Sequence, residues 1–314
     1  MPVSRGVVRI NVRRIAVVLA FFVLSTCAAN AAPKGTFVDG TMTWGGITRY
    51  YRVYIPLNLP PNPALVMMLH GTTYAPATSP PDTHNWGWWA FADKYHFIEV
   101  QPAATFNSKS GAWNWNAYYL DGAFQTSPGP DDSGFLRQLI VNLTAQYALN
   151  PKQIYVAGFS AGAQMAERVG VDISDLVAAI IPASGPLADN NTLPIPMPGP
   201  ETAPVSVQEW HGTLDTGLSP CNYGTTKYSG YLVHVATVDD TFNYWTNQNA
   251  CTTFANSQPL CAGGAPNPAT TGNDATGCAN STEVQFIWES GVKHNWVFGN
   301  VGARWQFFAA HPKP

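Results

Sequence analysis

The chain has 314 residues, 46% of them hydrophobic and 11% charged, with a formal net charge of −3. That length suits one large α/β domain or two small ones. The balance offers no basic field, which argues against nucleic acid as a partner. The polar surface is built mainly from Asn, Thr, Ser, Gly and Pro, as is common in exported proteins.

At the N-terminus, Arg5, Arg9, Arg13 and Arg14 precede an apolar run from Ile15 to Leu24, and Ala29-Asn30-Ala31 follows. A basic region, an apolar core and small residues read as a secretory signal peptide over 1–31, leaving 32–314 as one domain. The apolar run is too short for a permanent anchor, so secretion is expected and no stable membrane anchor. Leu24-Ser25-Thr26-Cys27 fits a lipoprotein cleavage site poorly, because threonine precedes the cysteine.

In the mature chain, Thr36 to Trp44 and Ile47 to Ile55 are β-rich and flank Gly45-Gly46, which predicts a hairpin. Ala64 to Leu69 reads as a buried parallel strand ending in His70-Gly71-Thr72-Thr73. Trp86 to Tyr95 is predicted helical, and Phe97 to Val100 a strand closed by Gln101-Pro102. Asp131 or Asp132 caps a helix whose apolar residues Phe135, Leu136, Leu139, Ile140, Leu143 and Tyr147 recur at spacings of three and four. Further strands are expected at Ile154 to Ala157, Leu176 to Ile181, Val205 to Trp210 and Glu283 to Trp288. Further helices are expected at Asp239 to Asn249 and Gly302 to Ala310. This alternation predicts an α/β fold, a mostly parallel sheet with helices on both faces. The prolines of Pro194 to Pro204 exclude a helix or central strand there.

With Cys27 removed, Cys221, Cys251, Cys261 and Cys278 remain, read as two disulfides with three possible connectivities. No C-x-x-C spacing or nearby histidine pair suggests a metal. Cys251 to Cys278 reads as a polar loop that disulfides would pin.

Ile154 to Ala157 leads into Gly158-Phe159-Ser160-Ala161-Gly162, and a helix-like run follows. Strand, Gly-x-Ser-x-Gly and helix is the context of a nucleophile elbow, which leaves the serine exposed at its tip. Acyl transfer by Ser160 needs a base to take its proton and an acid to orient that base. Asp215 and then His294 follow, each just beyond a strand, in the order that the α/β-hydrolase fold uses. Asp189, Asp239 and Asp240 are the rival acids, the last two better read as helix caps. His211 precedes the acid and breaks the order, His234 reads as a surface or packing residue, His311 lies near the tail, and His70 reads as support for the loop that follows it. The oxyanion donors are expected at the N–H groups of Thr72 and Ala161. Trp88, Trp113, Trp115 and Trp296 lie in or beside loops that flank such a site and are expected to line the substrate cleft, Trp296 foremost.

His70-Gly71, Trp113-Asn114-Trp115, Asp131-Asp132-Ser133-Gly134, the Ser160 pentapeptide, His211-Gly212-Thr213-Leu214-Asp215 and His294-Asn295-Trp296 together resemble the secreted poly(3-hydroxybutyrate) depolymerase-like esterases. These adjoin the feruloyl and acetylxylan esterases of carbohydrate esterase family 1. The resemblance implies an α/β-hydrolase fold and cofactor-free hydrolysis of carboxylic esters, and a monomer is expected. It implies a polyester or its oligomers as substrate, with plant cell-wall esters as the alternative; a non-catalytic binding protein on the same fold is the lesser rival, against which the intact Ser, Asp, His order argues. It also implies that Cys251 pairs with Cys278.

Overall fold

The structure, a computed structural model, describes residues 33–73, 86–107, 111–117, 130–187, 203–222, 224–228, 231–256 and 258–314, with the backbone alone at 224–228 and 231–234. The segment read as a signal peptide, Cys27, Asp189 and most of Pro194 to Pro204 lie outside the described residues, as does the side chain of His234.

Ten strands form one sheet among the described residues. They are β1 (Thr36–Trp44), β2 (Ile47–Ile55), β3 (Leu65–Leu69), β4 (Ile98–Pro102), β5 (Ile154–Phe159), β6 (Ala179–Ala183), β7 (Ser206–Gly212), β8 (Thr253–Ala255), β9 (Gly272–Thr276) and β10 (Val284–Glu289). Their spatial order is β1-β2-β4-β3-β5-β6-β7-β10-β9-β8. The six strands from β4 to β10 in that order are parallel, and the two at each edge join antiparallel. This is the α/β-hydrolase architecture.

The central strands are apolar runs because both of their faces are covered. One face carries α2 (Asp132–Tyr147), α3 (Ala161–Asp172) and α4 (Val238–Gln248), through Phe135, Leu139, Met165, Val169, Phe242 and Trp245. The other carries α1 (Trp88–Tyr95) and α5 (Val301–Ala310), an aromatic layer of Trp88, Phe97, Trp305 and Phe308. The hairpin forms in the expected register, with Gly45 and Gly46 at φ 57° and 77° in the turn. Asp131 caps α2 by accepting from Gly134 N at 2.9 Å. Thr237 and Asp240 form a reciprocal capping box on α4.

Two expectations are corrected. The strand expected at Leu176 to Ile181 starts at Ala179, because Leu176 and Val177 turn back to bond Ile173 O after α3. The segment from Cys251 to Cys278 is not all loop. It contributes β8 and β9, which continue the sheet beyond β10. The disulfides are Cys221–Cys261 and Cys251–Cys278, and they tie this segment to the loop after β7 and to itself.

Candidate active site

Ser160 stands between β5 and α3 at φ 56° and ψ −120°, a conformation that side chains rarely adopt. The turn is held by Ser160 N donating to Ala183 O at 3.0 Å, and by Ser160 O accepting from Ala163 N and Gln164 N. Two glycines make it possible. A Cβ on Gly158 would stand 2.0 Å from Gly162 O, and one on Gly162 would stand 2.1 Å from Leu69 O. Ser160 is only 2% exposed, which corrects the expectation of an exposed tip. Its hydroxyl lies 2.8 Å from His294 Nε2, and a Cβ on Gly71 would stand 3.1 Å from its Cβ.

His294 Nε2 lies 2.8 Å from Ser160 Oγ, and His294 Nδ1 lies 2.8 Å from Asp215 Oδ2. With Nδ1–H donating to the carboxylate, Nε2 keeps a lone pair facing the serine hydroxyl. Asp215 Oδ1 accepts from Gly217 N at 2.8 Å and Leu218 N at 3.1 Å. Burial alone would raise the Asp215 carboxyl, but donors from His211 and His294 hold it well below the usual carboxylate range. The loops after β7 and β10 are joined to each other. Thr213 N donates to Glu289 O, Leu214 N donates to Val292 O, and Gly291 N donates to Thr213 Oγ1.

Behind the His294 loop, Arg304 of α5 donates to Val297 O at 3.1 Å and Glu289 Oε1 at 3.3 Å. Its guanidinium lies 3.9 Å over the Trp296 ring and 5.0 Å from that of Trp210. Burial lowers this arginine to about 10, partly offset by Glu289.

Ala161 is the first residue of α3, so its N–H has no intrahelical acceptor. The Thr72 loop is fixed from behind. Thr73 exchanges backbone hydrogen bonds with Trp113, and Thr72 Oγ1 donates to Asn114 Oδ1 at 3.2 Å. His70 Nε2 accepts from Ala104 N at 3.1 Å, which leaves Nδ1–H to donate to Gly71 O. His70 thus braces the loop, as expected of it.

The four tryptophans expected in the cleft are buried instead. Trp88 stacks on Phe308, and Trp115 Nε1 donates to His70 O at 2.8 Å. Trp113 lies edge-on to Tyr50 and Phe106. Trp296 Nε1 donates to Trp86 O at 2.9 Å, and Arg304 covers its ring. Trp88 and Trp115 offer no surface to a ligand, and Trp113 and Trp296 almost none. A large ring stabilises more by leaving water than by lining a wet cleft. The apolar groups beside His294 are others. Phe159 lies 5.0 Å from the imidazole and Trp86 6.0 Å from Phe159, both half-buried.

Among the rivals, Asp239 accepts from Leu260 N and Cys261 N, Asp240 serves the cap, and His311 pairs with Glu283 at 3.0 Å. His211 is different, because its Nε2 stands 3.1 Å from Asp215 Oδ2. Sequence reasoning dismissed it on chain order, although its spacing of four residues from Asp215 was visible. Among the described residues, no cluster of three or more His, Cys, Asp or Glu could hold a metal. Among them, too, no helix is long and apolar enough to cross a membrane.

No protein-family model matches the chain. A poly(3-hydroxybutyrate) depolymerase of Ralstonia pickettii is 28% identical over 318 residues, covering 92% of this chain and 62% of that protein. A bifunctional acetylxylan esterase/xylanase of Neocallimastix patriciarum is 28% identical over 55% of this chain and 22% of its own length. Acetylxylan esterase A of Aspergillus ficuum is 25% identical over 55% of this chain and 64% of its own. The chain thus spans less than two thirds of the length of these curated relatives. Among solved structures, an acetyl xylan esterase from Aspergillus awamori superposes with a TM-score of 0.57 at 17% identity, covering 88% of this chain and 99% of that one. A poly(3-hydroxybutyrate) depolymerase from Bordetella parapertussis gives 0.53 at 15% identity, covering 89% and 92%. The chain is a homologue of the poly(3-hydroxybutyrate) depolymerases and of the acetylxylan and feruloyl esterases, built on the α/β-hydrolase fold.

Proposed function

We propose that the chain is a serine carboxylic-ester hydrolase acting on polyhydroxyalkanoate-type polyester or its oligomers. The observation that carries this reading is the His294 imidazole bridging Ser160 Oγ and Asp215 Oδ2 at 2.8 Å on each side. Ser160 Oγ attacks the ester carbonyl while His294 Nε2 takes its proton. Asp215 holds the imidazole through Nδ1 and stabilises the imidazolium that forms. The N–H groups of Ala161 and Thr72 bind the developing oxyanion, and each such donor is worth roughly 100- to 1000-fold in rate. His294 then protonates the leaving alcohol. Water, deprotonated by the same nitrogen, releases the acid and frees Ser160.

The polyester reading is supported by the depolymerase relative that aligns over 92% of this chain. It is also supported by Phe159 and Trp86 beside the imidazole, apolar groups that suit aliphatic acyl units. Export to an oxidising compartment is supported by the two disulfides.

The test compares the native enzyme with Ser160→Ala on p-nitrophenyl butyrate, a polyhydroxybutyrate film and methyl ferulate. We expect Ser160→Ala to lose activity and the native enzyme to clear the film. Activity unchanged in Ser160→Ala would overturn the site. Release of ferulate without clearing would move the substrate to cell-wall esters.

A further inference from the structure

The side of Asp215 away from the serine carries a second imidazole. His211 lies on β7, wholly buried, with Glu209 two residues earlier on the same face of the strand. Its Nε2 stands 3.0 Å from Leu218 O and 3.1 Å from Asp215 Oδ2. Both neighbours are acceptors, which favours the tautomer with the proton on this nitrogen. Its Nδ1 points toward Glu209 Oε1 at 3.9 Å and has no hydrogen-bond partner. A bare lone pair there would face a carboxylate oxygen, whereas an N–H would face it favourably.

Other charged groups surround this ring. Glu167 of α3 lies within electrostatic reach of Glu209, and Trp245 Nε1 donates to its Oε2. Glu289 of β10 feels His211 while it pairs with Arg304. His294 shares Asp215 from the other side. Arg304 is thus the one fixed cation among these groups, and it serves Glu289.

We propose that His211 is a positioning residue, a buried imidazolium that clamps the Asp215 carboxylate and screens its charge from His294. The proposal rests on the triad reading given above. Asp215 Oδ1 accepts from two backbone N–H groups, and Oδ2 has His294 Nδ1 at 2.8 Å and His211 Nε2 at 3.1 Å. That leaves the carboxylate no freedom to rotate away from His294. Burial works against a charge on His211, but the carboxylates of Asp215 at 3.1 Å and Glu209 at 3.9 Å outweigh it and raise the group to about 9. Burial and the neighbouring Glu209 raise Glu167, and burial raises Glu209, partly offset by His211.

The variant is His211→Gln, whose amide reaches the Nε2 position without a charge. With the cation gone, the full charge of Asp215 favours a proton on His294. The acid limb of kcat/KM on p-nitrophenyl butyrate then moves up by about one pH unit. A merely structural role would lower the plateau and leave the limb in place. An unmoved or downward-shifted limb overturns the proposal. If His211→Gln does not fold, the ring is read directly by nitrogen NMR in Ser160→Ala. Both ring nitrogens protonated from pH 6 to 8 is the expected result, and a neutral ring overturns it. Survival of activity in Ser160→Ala would sink the triad reading alone, since the charge of His211 is measured separately.

Discussion

Gly162→Ala is the sharpest test of the elbow. A methyl group there would stand 2.1 Å from Leu69 O and 2.5 Å from His70 O, whereas ordinary contact begins at 3.4 Å. Something must therefore move by about 1.3 Å. Neither carbonyl is free to yield. Leu69 is paired with Gly158 in the sheet, and His70 O accepts from Trp115 Nε1. Either α3 tilts, which carries Ser160 and the Ala161 N–H with it, or the Thr72 loop retreats. A misplacement of about 1 Å costs roughly 100-fold in rate. Alanine gains up to about 1 kcal/mol of helix propensity over glycine, against about 1 to 3 kcal/mol for overpacking. The net loss of stability is thus small beside the loss of activity. We expect kcat/KM on p-nitrophenyl butyrate to fall about 100-fold or more, with Tm lower by a few degrees in a circular dichroism melt. Activity within threefold of the native enzyme would refute the steric account of the turn.

Two further predictions concern stability. Glu99 is buried, accepts from Gln101 through Oε1 and has no partner at Oε2. Burial, partly offset by Gln101, raises it from 4.5 to about 7. Its folded form holds the proton more tightly than the unfolded chain, so its contribution is full below pH 4.5 and is lost as pH rises through 7, about 3 kcal/mol in all. Glu99→Gln therefore gains on the native protein between pH 5 and 8 in guanidinium melts, and a constant difference would contradict this. The Cys221–Cys261 bridge closes a 40-residue separation, so replacing both cysteines with serine costs about 4 kcal/mol by chain entropy, measured by the same melts. A loss below about 1 kcal/mol would mean that residual structure already confines the unfolded chain.

The elements that position the site were legible where the signal is local. The Ser160 pentapeptide announces itself because two glycines are demanded by backbone contacts within a few residues and by one neighbouring strand. Asp215 and His294 were legible because each follows an apolar strand at once, and the structure brings both to the serine. The tryptophans were misread because a loop position does not say which way an indole points. Trp296 turns inward to Arg304, which lies eight residues further on, and nothing in its own stretch betrays that cation. The β8 and β9 strands were hidden because their residues are short and polar, and they are held as an edge by pairing with β10. His211 was set aside because chain order ranks candidates for one role and is blind to a residue that supports another.

The three hydrogen bonds between the loops after β7 and β10 have an engineering consequence. The loops that carry Asp215 and His294 form a cassette whose halves are fastened to one another. A chimera that imports the loop of Asp215 from a relative without the loop of His294 inherits mismatched fasteners. Swapping both together exchanges a finished part.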